Sequence, residues 1–132
     1  MFTSPLPGAV ETLPSMPDPT DASAPLGDRA RAYLHTNCAQ CHQPGGPTPV
    51  SLDLRYTTLL ANTNACNVAP SAGDVGLVNP LIIEPGDALN SVLVARTALR
   101  DSNGMPPIGS TVIDDAGVAL LSDWINGLAD CN

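Results

Sequence analysis

The sequence predicts an all-α domain of about three main helices joined by long irregular loops, and three features of its 132 residues carry that expectation. Apolar residues recur at helical spacing in three separate segments. No alternation of apolar and polar residues runs long enough to make a strand. Gly and Pro, 11 and 14 in number, crowd between the helical segments and break regular structure there. The length suits one domain rather than two. The expected division is a Pro-rich disordered tail or linker over residues 1–26 and a folded domain over 27–132.

Six of the prolines fall in the tail (Pro5, Pro7, Pro14, Pro17, Pro19 and Pro25), mixed with Ser, Thr and Asp. Such a stretch buries too little to order itself. The first helix is expected from Asp28 as its cap to about Asn37, with Ala30, Tyr33 and Leu34 on one face. Residues 43–49, Gln-Pro-Gly-Gly-Pro-Thr-Pro, then exclude a helix. Residues 50–80 stay irregular, with Leu52, Leu54, Leu59 and Leu60 as anchors and Asn79-Pro80 as a turn. A second helix is expected from an Asp87 cap, with Leu89, Val92, Leu93 and Arg96 at helical spacing. The third is the clearest. Asp114 or Asp115 caps it, and Val118, Leu121, Ile125 and Leu128 share a face beside Trp124.

Charge narrows the function. The formal net charge is −8, and the five cations (Arg29, Arg31, Arg55, Arg96 and Arg100) are all arginines. An acidic, lysine-free chain is poorly suited to nucleic acid or to an anionic membrane surface. No apolar stretch reaches the roughly 18 residues of a membrane span. Met1 to Leu26 has neither a basic start nor an apolar run, so no secretory leader is read there.

Residues 38–42, Cys38-Ala39-Gln40-Cys41-His42, form a C-x-x-C-H pentapeptide. Two thiols three positions apart can each add to a haem vinyl group, and the following histidine can then bind the iron. Far along the chain, Asn103-Gly104-Met105-Pro106-Pro107 offers a thioether on a helix-breaking loop, suited to the other axial position. Aromatic residues make up only 3% of the chain, and a porphyrin would supply the large apolar surface such a core lacks.

Three rival readings apply. The cysteine pair could be a redox dithiol, although that favours a strand before the first cysteine. A zinc site would need a second ligand pair, for which Cys66 and Cys131 are poorly spaced. Met105 could be an ordinary core residue, but Met1 and Met16 both lie in the tail. His35 sits one turn before Cys38 and reads as a surface or helix-packing residue. Arg55 and Arg96 are equally open to pairing with haem propionates or to a solvated surface role. The thiols that haem attachment would leave over, Cys66 and Cys131, read as a disulfide, with two unpaired buried cysteines as the alternative.

The order of parts resembles a class I c-type cytochrome domain over roughly residues 27–131, a cytochrome c-like fold wrapped around one covalently bound haem. The stretches 32–38, 84–87 and 105–107 look like the monohaem modules associated with quinoprotein or sugar dehydrogenases. The resemblance implies one haem c anchored by Cys38 and Cys41, with His42 and Met105 as axial iron ligands. It implies no catalytic residue and not an enzyme, but one-electron transfer from a dehydrogenase donor to a downstream acceptor. It also implies a periplasmic or otherwise exported location, so the chain is expected to be a mature form or an excised domain of a larger dehydrogenase. The alternative function is a haem enzyme or gas sensor in which Met105 dissociates. Cys66 and Cys131 belong to no motif of that superfamily.

Overall fold

A computed structural model describes residues 8–9 and 12–132. The expected tail therefore lies outside the described residues at 1–7, 10 and 11. From residue 12 to 25 it is irregular and mostly exposed, punctuated by turns in which Asp18 accepts from Thr20 and Asp21 from Ser23. Arg29 Nε donates to the Pro19 carbonyl at 2.8 Å, which ties this segment to the first helix.

Helix α1 runs Leu26–Cys38. It begins earlier than its sequence suggests, because Pro25 occupies the cap position and presets the entering chain. Asp28 makes no capping bond. It lies in the first turn, where a carboxylate complements the helix dipole. Ala30 and Leu34 are buried as expected, and Ala32 is buried too. Helix α3, Asp115–Asn126, follows its sequence closely: Asp114 caps it by accepting from the Gly117 N–H at 3.0 Å. Leu121 and Ile125 are fully buried, and Trp124 and Leu120 nearly so. The helix stops at Gly127, so Leu128 packs on the core from beyond its end.

α1 and α3 cross at Gly117, where any Cβ would run into the Tyr33 ring. The missing side chain lets the two helices approach closely enough for Leu34, Leu121 and Ile125 to share one core.

Helix α2 is shorter than expected, Val92–Thr97, with Ser91 rather than Asp87 before it. The cause is competition for backbone donors. Val92 N–H bonds to the Leu81 carbonyl and Leu93 N–H to that of Ile82, at 2.9 and 3.0 Å. Asp87 instead closes a tight turn by accepting from Asn90 N–H. Leu89, assigned to a helix face by spacing, is 88% exposed in that turn.

Among the described residues the only other regular element is one 3₁₀ turn, Leu60–Asn62, and no strand forms beyond two isolated parallel bridges, Cys66 with Ile83 and Leu81 with Ser91. The domain is thus all-α, with long loops as expected. Leu54 is buried and Leu52 and Leu60 half-buried, but Leu59 is 72% exposed and anchors nothing. Cys66 and Cys131 are joined as a disulfide, Cα to Cα 5.8 Å, fastening the middle loop beyond the end of α3. Among the described residues no helix is long and apolar enough to cross a membrane.

Candidate functional site

The C-x-x-C-H turn grows from the end of α1. Cys38 is the helix's last residue, and its carbonyl accepts from both Cys41 N–H and His42 N–H, at 3.1 and 2.9 Å. The motif is thereby wound into one compact turn directly after the helix. Two further contacts hold it. The His42 carbonyl accepts from Leu54 N–H at 2.9 Å. Gly46 folds back against the Cys41 carbonyl so closely that no Cβ would fit. The run of breakers after His42 therefore has a positive role: it returns the chain under the motif.

Cys38, Cys41, His42 and Met105 all line one cavity of about 790 Å³. The size falls within the range of cofactor and ligand pockets. Its walls are largely apolar. Leu52 and Leu54 come from the loop after the motif, Val68 and Ile82 from the middle loop, and Val92 and Leu93 from α2. The sequence singles out the two α2 residues by their helical spacing and the two leucines as apolar anchors in irregular chain. It offers no signal for Val68 or Ile82, which sit in irregular chain.

Both motif cysteines are free and half-buried. Burial pushes the Cys38 thiol up to about 11, with the neighbouring Cys41 adding to the effect. His42 is held below the ordinary imidazole range by burial, which favours the neutral, ligating form. Its Nδ1 is buried without a hydrogen-bond partner. A ring with an unpaired nitrogen, two thiols outside any disulfide and a thioether around an apolar space make a donor set that fits a covalently held haem. Among the described residues, no three His, Cys, Asp or Glu side chains converge as a metal-holding group.

Met105 is fixed through its backbone. Its N–H donates to the Arg96 carbonyl at 2.8 Å, and its carbonyl accepts from Arg100 Nη1 at 3.3 Å. The Met105–Pro106 peptide is cis. Gly104 precedes it where a Cβ would strike the Leu99 backbone, so the loop turns back tightly onto the end of α2.

The remaining candidates separate. His35 lies outside the cavity, and its Nδ1 accepts from Tyr56 N–H at 3.2 Å, so it braces the loop after the motif. Arg55 is engaged with Asp53, at 2.7 Å, and also stands off the cavity. Arg96 lines it.

Compared with protein families, with curated proteins and with solved structures, the chain matches none.

Proposed function

We propose that this chain is a one-electron carrier of the c-type cytochrome kind, holding one haem c in the cavity between α1, α2 and the methionine loop. The observation that carries the reading is the convergence of Cys38, Cys41, His42 and Met105, from two distant segments, on one apolar cavity. Cys38 and Cys41 would anchor the group as thioethers, and His42 and Met105 would fill the axial positions. A haem so ligated supplies a reversible one-electron iron couple, and a soft thioether ligand favours its reduced state.

The protein's own share is positioning and exclusion. The turn after α1 presents both thiols and the imidazole together, and burial keeps that imidazole neutral. Leu54, Val68, Ile82 and Val92 keep the interior apolar, which excludes water and disfavours added charge. Were His42 and Met105 both to hold the iron, substrate would find no open coordination site, so electron transfer fits better than catalysis or gas sensing. On this reading α1 and α2 would wall the group and α3 would pack behind α1, a cytochrome c-like arrangement.

A redox dithiol is the weaker reading. Reactive C-x-x-C pairs sit at helix N-termini with depressed thiol pKa values. Here Cys38 closes the C-terminus of α1 and its thiol is raised. Haem attachment and the Cys66–Cys131 link both suit an exported, oxidising setting. The donor would be a dehydrogenase and the acceptor a downstream redox protein.

The test is maturation in a bacterial periplasm competent for haem attachment. Denaturing mass spectrometry is expected to find one covalent haem per chain. Met105→Ala is expected to abolish the methionine–iron charge-transfer band of the ferric protein and to lower the potential. Recovery of apoprotein alone from a competent host would overturn the reading.

A further inference from the structure

Arg96 spans two loops that wall the cavity. Its Nη1 donates to the Asn103 carbonyl at 2.9 Å, two residues before Met105. Its Nη2 donates to the Ala72 and Gly73 carbonyls, at 2.5 and 3.3 Å, on the middle loop. Its own carbonyl receives the Met105 N–H. One residue thus holds the methionine loop by backbone and side chain together, and fastens it to Ala72, 24 positions before Arg96 itself. No acidic side chain pairs with it, since the one ion pair among the described residues is Arg55 with Asp53.

We propose that Arg96 is the positioning residue for the Met105 sulfur, acting as a tie between the 72–73 and 103–105 segments rather than as the partner of a haem carboxylate. The proposal rests on the reading of Met105 as an axial ligand. Three carbonyls around one guanidinium use the planar, multi-donor fork that a lysine ammonium does not reproduce. The loops on either side contain no helix or strand of their own, so their relative position depends on such cross-links. Untying them lets the methionine segment swing from the cavity while His42, held from α1, stays in place.

The experiment compares the haem-loaded wild type with Arg96→Ala, Arg96→Lys and Met105→Ala. It reads the methionine–iron band, the reduction potential and the rate of cyanide binding to the ferric protein. Arg96→Ala is expected to weaken the band and to speed cyanide binding by about ten-fold, the factor matching roughly 1.4 kcal/mol, or one to two hydrogen bonds of loop closure. Arg96→Lys is expected to behave like Arg96→Ala, because charge without the fork does not restore the tie. A wild-type band and cyanide rate in Arg96→Ala would overturn the proposal. So would full rescue by lysine, or a shifted potential with the band intact, either of which would make Arg96 a partner for haem carboxylates. If Met105→Ala itself keeps the wild-type spectrum, the ligand assignment fails instead, and the two failures are told apart.

Discussion

The Cys66–Cys131 disulfide is expected to contribute more to stability than any helix of this domain. It closes a loop of 65 residues, most of them without regular structure. In the chain-entropy description, a loop of that length costs the unfolded ensemble about 4 kcal/mol at 25 °C. The folded side should offset little of this, because both cysteines are only half-buried and alanines there would leave shallow gaps. For a folded unit of roughly 105 residues, unfolding entropy near 2.1 cal/mol/K per residue turns that figure into a drop of about 15–20 °C in Tm. The assay is thermal and urea unfolding of Cys66→Ala/Cys131→Ala, followed by circular dichroism. The urea slope m should rise as well, since a denatured chain freed from the loop exposes more surface. A fall in Tm below about 5 °C with m unchanged would refute the entropic argument and show that the loops stay ordered without the link.

Three further outcomes follow from the packing and charge. Gly117→Ala should cost about 1–3 kcal/mol by driving a methyl into the Tyr33 ring, and the penalty should shrink in a Tyr33→Ala background, as a double-mutant cycle in urea would measure. Asp53 accepts from Arg55 Nε, Nη2 and N–H and from Thr58, and those bonds hold its carboxyl well below the usual range. Its stabilising effect is therefore full above the unfolded carboxyl value of about 4 and fades as pH falls through the lower folded value, so Asp53→Asn should lower Tm at pH 7 and match wild type in strong acid. If the chain carries electrons as proposed, transfer to a small basic acceptor should slow as salt rises from ~10 to ~200 mM, with the screening length falling from about 30 to about 7 Å; rates that rise with salt would mean that the docking face is not acidic.

What could be read from the sequence divides along a physical line. The C-x-x-C-H turn is local, so its five residues show both their chemistry and their proximity. α3 is nearly as legible: an Asp cap and an apolar stripe act within a dozen residues. α2 misleads because its start is decided by the Leu81 and Ile82 carbonyls, which no local pattern reveals. Leu128 has the right spacing yet falls beyond Gly127, where the helix has already ended. Most of the cavity wall, Val68 and Ile82 included, comes from chain without a period. Such residues become recognisable only once the bridge between Cys66 and Ile83 sets them beside the motif.

The absence of lysine acquires a reason in the structure. Four of the five arginines donate to backbone carbonyls of irregular chain: Arg29 to Pro19, Arg31 to Arg55 and Thr58, Arg96 to the two loops it ties, and Arg100 to Met105 and Val112 among others. Loops that lack ladders leave carbonyls to satisfy, and a guanidinium reaches several at once where an ammonium cannot keep a fixed geometry. Burial of Arg31 even pulls its guanidinium below its ordinary value, a cost accepted for two such bonds. The fifth arginine is spent on Asp53. The domain as a whole stays acidic at −8, and Asp101, Asp114 and Asp115, exposed before and after the methionine loop in the chain, face the charges of Arg96 and Arg100 that hold that loop. A redox acceptor of the proposed carrier would therefore meet a net negative field at long range, and one drawn by it should be basic, while the two arginines temper the charge at the methionine loop itself.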